Sequence, residues 1–423
     1  MGNLKSSWWK MPCALVALGA ATAVAAPAQQ TQGSPTFTVV HTFTDSPDGA
    51  APEGGLVYCA AGNLCGTTVE GGLLDQGTVY EIDKTGAERV LYRFRGGNDG
   101  YIPVGVLTVG PAGKLYGATV AGGSKAPDVC DGYGCGTVFE LDRTTGKETV
   151  LHAFEAGSGR DGSEPEAGLV LDGAGNLYGT TVLGGTFFGA VFTIDAAGRE
   201  SLLHSFNGTT AGAYPAAALI LDGAGSLYGT TTGTLGLESV TGATGRDGSV
   251  DYGTVFELTA TGQEIVLHSF TGTPDGAFPI ARLVRDQAGN LYGTTEEGGT
   301  GSCGTVFKVT PTGHETVLHN FTCTPDGAYP YAGLVRDPQG NLYGTTSQGG
   351  AYGQGAVFEL SPNGAERLLY SFTGGDDGAN PRADLLLDPA GNLYGTTSFG
   401  GDLSLCPAFG ESGCGVVFKL TLR

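Results

Sequence analysis

Six side chains interrupt an otherwise uniform pattern and could do chemistry: Glu53, Glu166, Arg282, Tyr331, Arg382 and Asp384. Each lies just after a proline that recurs at Pro52, Pro103, Pro165, Pro215, Pro279, Pro330 and Pro381. The next residue is Glu53, Val104, Glu166, Ala216, Ile280, Tyr331 or Arg382 in turn, and two positions on, Arg282 and Asp384 replace the usual small or apolar residue. A scaffold position should look alike in every copy, so departures from it point to a site. Acids, arginines and a tyrosine converging on one place suit a polar ligand such as a sugar. Glu53, Glu166 or Asp384 could instead act as general acid and base in a glycoside hydrolase or polysaccharide lyase. Polar residues that merely line a wet channel are the plainer alternative.

A repeat must position these groups. Copies of Gly-Asn-Leu-Tyr-Gly-Thr-Thr begin at Gly62, Gly113, Gly175, Gly225, Gly289, Gly340 and Gly391. Each is followed by a Gly-Thr-Val-Phe-Glu-Leu-like run that opens at Gly77, Gly136, Gly189, Gly253, Gly304, Gly355 or Gly415. A Val-Leu-His-Ser-Phe-like run ends at Phe43, Phe94, Phe154, Phe206, Phe270, Phe321 and Phe372. With the proline-led run, the unit has four short apolar stretches rich in β-branched and aromatic residues, bounded by Gly, Asp, Asn and Pro, which is the pattern of strands joined by turns. Self-similarity at roughly 50 residues with four strands per unit is the mark of a propeller blade.

The fold expected is therefore all-β, a seven-bladed β-propeller over residues 36–423. The proline-led and Gly-Asn-Leu-Tyr runs resemble those of NHL-type propellers, which implies that the proline-led run is the innermost strand and Val-Leu-His-Ser-Phe the outermost. An orphan outer strand then precedes the first blade, at Phe37 to Phe43, and the last unit stops after its third strand. The N-terminal strand is expected to complete the last blade, because an unpaired edge would otherwise remain at the seam.

Lys5, Lys10 and the apolar run Met11 to Ala25 read as a secretory signal over residues 1–25, and residues 26–35 as a disordered leader. Cys13 falls inside the signal. The other eight cysteines form neighbouring pairs, Cys59 with Cys65, Cys130 with Cys135, Cys303 with Cys323 and Cys406 with Cys414, as local disulfides of an exported chain would. Zinc-type cysteine spacing does not occur. Length variation between second and third strands is concentrated at Ser124 to Gly134, Gly233 to Tyr252 and Asp402 to Gly413, which places elaborate loops on one rim.

Asp-Gly stands in the connection into most blades, at Asp48, Asp99, Asp161, Asp275, Asp326 and Asp377. A carboxylate ring could hold calcium, but Asp-Gly is also what a tight turn uses, and the turn reading is preferred. No cofactor and no metal are expected. Histidines at 41, 152, 204, 268 and 319 share one register of the outer strand with Tyr92 and Tyr370, and read as structural.

With 42 acidic against 21 basic residues the net charge is −21, which argues against nucleic acid and acidic membranes as partners. Neither a Gly-x-x-x-x-Gly-Lys phosphate loop nor a nucleophile elbow with a partner histidine is found.

The consensus Gly-Thr-Val-Phe-Glu-Leu, Val-Leu-His-Ser-Phe, Asp-Gly-Ala-x-Pro, Gly-Asn-Leu-Tyr-Gly-Thr-Thr resembles the GloVer tandem repeat of exported bacterial proteins, in phase seven times. The resemblance implies export and often a C-terminal surface anchor, with no established activity and no catalytic residues to transfer. No hydrophobic tail follows Lys419 to Arg423, so release into the periplasm or medium is expected. The function expected is a monomeric binding module for a polysaccharide or surface protein, the alternative being a carbohydrate-active enzyme.

Overall fold

The computed structural model describes residues 34–60, 62–123, 130–155, 161–208, 212–233, 251–406 and 413–422. The residues expected to form a secretory signal, most of the expected leader and the middle of all three long connections lie outside the described residues. No helix among those described is long and apolar enough to cross a membrane.

Seven four-stranded antiparallel sheets follow one another as blades. Blade 1 comprises Val57–Ala60, Asn63–Thr68, Thr78–Ile82 and Glu88–Arg93, and blade 2 comprises Tyr101–Val109, Lys114–Ala121, Thr137–Asp142 and Lys147–Ala153. Blades 3 to 6 repeat this order, with outer strands at Glu200–Ser205, Glu264–Ser269, Glu315–Asn320 and Glu366–Ser371. Blade 7 comprises Leu386–Leu387, Asn392–Thr397 and Val416–Thr421, and its outer strand is Thr36–Thr42 from the start of the chain. Thr36 pairs with Thr421 and Thr42 with Val416, so the ring closes by the N-terminal strand as the sequence predicts.

The innermost strand is shorter than the sequence suggests. In blades 3 to 7 only two residues of the proline-led run pair, such as Val170–Leu171 and Val284–Arg285. Blade 2 is the exception, its innermost strand pairing from Tyr101 to Val109. The residue before each blade-opening proline is a second feature that the repeat conceals. Ala51, Ile102, Glu164, Tyr214, Phe278, Tyr329 and Asn380 all have positive φ, between 53° and 59°. That turn aims the N–H at the preceding blade while the C=O stays with its own second strand: Glu164 N donates to Cys135 O of the preceding blade at 2.8 Å, and Val182 N of the same blade donates to Glu164 O at 3.1 Å. The following proline has no N–H to offer. Ala51 N donates to Cys414 O at 3.0 Å across the closing seam.

Two further contacts fix blade spacing and account for repeat residues. The glycine that opens each third strand touches the next blade's proline, so a Cβ on Gly304, whose φ is +94°, would lie 2.6 Å from Pro330 Cδ. The phenylalanine that ends each outer strand meets the third-strand aromatic of the next blade edge-on. Phe154 with Phe192 (5.1 Å), Phe270 with Phe307 (5.0 Å) and Phe43 with Tyr80 (5.0 Å) are examples. Each such pair contributes about 0.5–1.5 kcal/mol beyond its area burial.

The hairpin between first and second strands also explains its consensus. Asp286 accepts hydrogen bonds from the backbone N–H of Ala288 and Asn290, from Asn290 Nδ2 (2.8 Å) and from Tyr292 Oη (3.1 Å). Asp172 and Asp337 make the same bonds to Asn176 and Tyr178 and to Asn341 and Tyr343. The Asn and Tyr of the consensus thus bind a turn aspartate; they are scaffold.

Candidate functional site

The proline-led runs converge on the channel that the ring encloses, and the six candidate residues fall into two layers. The residue directly after each proline forms the outer layer. There Arg382 Nη1 lies 4.0 Å from Glu53 Oε1, and the Arg382 guanidinium sits over the Tyr331 ring at 5.1 Å. Asn380 Oδ1 orients that guanidinium by accepting from Arg382 Nε at 2.7 Å, and Glu53 Oε1 accepts from Ser398 Oγ at 3.4 Å. Tyr331 keeps 39% of its surface exposed.

Enclosure by low-dielectric walls changes the acids. Burial, with the charges of Glu164 and Glu53 added, pushes Glu166 up to about 7. Burial also raises Glu53, against the opposing pull of Arg382 and the hydrogen bond from Ser398. The carboxyl of Glu296, which burial and Glu297 push up to about 7 while Arg382 opposes, belongs to this layer too. Burial raises the Tyr331 hydroxyl; Arg382 works against that, and Glu296, Glu166 and Glu53 add to it. Glu53, Glu166, Glu296, Tyr331 and Arg382 therefore form one electrostatic unit.

Glu296 escapes an inspection confined to the innermost strand. It follows the Gly-Thr-Thr of the second strand, where the other blades carry Val69, Val120, Val182, Thr232, Ser347 and Ser398. Comparing repeat registers there as well reveals it.

The inner layer holds the remaining two candidates. Asp384 Oδ1 accepts from Gly333 N at 2.6 Å, and Asp384 Oδ2 lies 3.5 Å from Arg282 Nε. A Cβ placed on Gly55 would sit 3.2 Å from Asp384 Cβ, so side chain and backbone from blades 1, 5, 6 and 7 meet here. Arg282 and Asp384 spend their charges on each other and tie blades together across the axis. Further along the same strands, Val109, Leu171, Leu221, Arg282 and Arg285 line a mostly apolar cavity of about 490 Å³.

On the periphery, the Asp-Gly turns and the outer-strand histidines, separate features in the sequence, are partners. His268 Nε2 lies 3.1 Å from Asp275 Oδ2, His319 Nε2 3.2 Å from Asp326 Oδ2, and Tyr370 Oη donates to Asp377 at 2.8 Å. His204, whose connection has Ala211-Gly212 in place of Asp-Gly, faces Glu264 of the next blade at 3.2 Å. The cysteines are joined as Cys59–Cys65, Cys130–Cys135, Cys303–Cys323 and Cys406–Cys414, bonds that persist in oxidising compartments.

Fold and site together define a seven-bladed repeat propeller with acids, a tyrosine and an arginine grouped at its innermost strands. The chain belongs to the Gloeobacter/Verrucomicrobia repeat family, which matches residues 29–242 and 238–409. Comparison with curated proteins finds no match. Among solved structures, it resembles virginiamycin B lyase from Staphylococcus aureus at 14% identity and a TM-score of 0.59, over 92% of this chain and 100% of that one. It also resembles an oligogalacturonate lyase in complex with manganese, at 13% identity and a TM-score of 0.53 over 93% and 98% of the two chains. The extracellular domain of a one-component system from B. thetaiotaomicron aligns at 9% identity and a TM-score of 0.57, over 92% of this chain and 40% of that one. At such identities the likeness is one of fold, which hosts unrelated functions.

Proposed function

We propose that the protein is an exported binding propeller that takes an uncharged saccharide at the channel mouth and performs no reaction on it. One observation carries this reading: the Tyr331 ring, held by Arg382 at 5.1 Å, stays exposed among the acids Glu53, Glu166 and Glu296. An aromatic face suits the apolar face of a sugar ring, and carboxyl groups accept from its hydroxyls. Three carboxyls against a single guanidinium make a polyuronate or phosphorylated ligand unfavourable there. Retention of the purified protein on neutral polysaccharides, compared with polyuronates, tests the reading. Tyr331→Ala and Glu166→Gln should abolish retention at unchanged melting temperature, and equal binding to polyuronates would overturn it.

A catalytic reading draws on a different observation. Glu166 and Glu296 are both pushed up to about 7, where a carboxyl can donate or accept a proton at neutral pH. On that reading the protein is a polysaccharide lyase or glycoside hydrolase, and two of the similar folds are lyases. Mass spectrometry of soluble products separates the two readings: new oligosaccharides that vanish in Glu166→Gln establish an enzyme.

A further inference from the structure

The periphery carries a second set of polar groups, remote from the channel. Where two blades meet, a glutamate near the start of one outer strand approaches the His–Asp or Tyr–Asp pair contributed from the blade before. Glu88, Glu148, Glu200, Glu264, Glu315 and Glu366 occupy this register, and the Oε1 of each is buried without a hydrogen bond. Hydrogen bonding within the protein leaves this oxygen unsatisfied at six seams, an arrangement that costs stability unless something else meets it.

At the seam between blades 2 and 3 these groups draw closest together. One ligand atom each from His152, Asp161 and Glu200 lie within 4.8 Å of one another, the only such triple of His, Cys, Asp or Glu among the described residues. We propose that this seam binds a divalent transition-metal ion, Zn²⁺ above all, through His152 Nε2 and the carboxylates of Asp161 and Glu200.

The chemistry of the donor set favours this class. One imidazole with two carboxylates suits Zn²⁺ or Mn²⁺, whereas Ca²⁺ prefers an all-oxygen shell. His152 Nε2 is 3.3 Å from both Asp161 oxygens, long for a hydrogen bond and a separation that two ligands of one ion also adopt. Asp161 is held from behind, its Oδ1 accepting from Gly162 N and its Oδ2 from Glu155 N, each at 2.9 Å. The His152 ring is braced edge-on by Phe154 at 4.7 Å. Such outer contacts fix the direction of metal ligands. Among the described residues no lysine or arginine makes an ion pair with Asp161 or Glu200, so a dication would neutralise both carboxylates.

The seam of His41, Asp48 and Glu88 has the same residue types and a His–Asp distance of 3.3 Å, but its three ligand atoms do not come within the same reach of one another. The remaining seams differ in residue type or distance. Tyrosine replaces the imidazole at Tyr92 and Tyr370, and His204 has no turn aspartate. His268 and His319 lie 3.1 and 3.2 Å from their aspartates, while Glu315 and Glu366 stay outside a comparable triple.

The test uses the full folded protein, stripped with a chelator and dialysed against Zn²⁺ alone, with bound metal counted by plasma mass spectrometry and the melting temperature followed in parallel. One equivalent should bind and raise the melting temperature. Glu200→Gln, which keeps the shape, and His152→Tyr, which installs the residue two sister seams already use, should each lose both the ion and the rise. His319→Tyr should retain them. A wild-type protein that takes up no zinc overturns the proposal, as does zinc that survives both seam variants or disappears equally with His319→Tyr.

Discussion

The rings of Phe37 and Tyr370 stack face to face between blades 7 and 6, 4.0 Å apart and 8° from parallel. Phe37 occupies the register where other outer strands carry glutamate, opposite Leu420 as Glu315 is opposite Val309. The seam between the N-terminal strand and blade 6 thus replaces a polar contact by an aromatic one, which Phe372 and Phe418 extend. Phe37→Ala should lower unfolding free energy by about 2–3 kcal/mol, since a half-buried ring and its stacking are lost. Denaturant unfolding measures this; a loss confined to a few tenths would show that the backbone ladder alone holds the N-terminal strand.

Tyr80 stands where the other third strands have phenylalanine or a like ring, and its hydroxyl is buried without a hydrogen-bond partner. Tyr80→Phe removes an unsatisfied polar atom while keeping the edge-on contact with Phe43. The variant should be more stable by about 1 kcal/mol. A lowered melting temperature would mean that the hydroxyl has a partner in solution.

Stability should depend on pH through the seam glutamates. Burial first, then the nearby aspartates, pushes Glu88, Glu148, Glu315 and Glu366 up to about 7 from 4.5. The folded state therefore holds protons that the unfolded chain releases, a contribution present below pH 4.5 and lost as pH rises through about 7. Turn aspartates act in the opposite sense. Burial works against Asp172 and Asp286, yet hydrogen bonds from Asn176 and Asn290 hold both below the usual carboxylate range, so their contribution is lost in acid. In metal-free buffer the melting temperature should peak near about pH 5 and fall toward pH 8. A profile that rises over that interval would contradict the assignment.

The two channel layers should separate under mutation. Asp384→Ala strands the Gly333 N–H and removes the ion pair of Arg282, and should cost roughly 1–3 kcal/mol of stability while the folded fraction still retains ligand. Glu166→Gln should do the reverse. Calorimetry and retention assays on the same two proteins check both halves.

The architecture is legible in the sequence because four strand runs recur in phase and an orphan strand fits one vacancy. The turn before each blade-opening proline is not legible, because no residue type announces the positive φ shared by residues as unlike as Ala51, Tyr214 and Asn380. For the channel, departures from the repeat pick out Glu53, Tyr331 and Arg382, of which Arg382 lies against the other two. They did not reveal that Asp384 would turn to Arg282, since which charges cancel depends on distances across the axis. The histidines and Asp-Gly turns each had a register, but their pairing required the curvature of the chain between them.

The pairing of Thr36–Thr42 with Val416–Thr421 joins the two ends of almost the whole chain. During synthesis Thr36–Thr42 emerges long before Val416–Thr421, so this pairing becomes possible only after the residues of six blades have been made. Closure is the most non-local event in the fold and should be its slow step. The cylinder gains its full mechanical resistance only at that moment, when a stack of leaning sheets becomes a hoop.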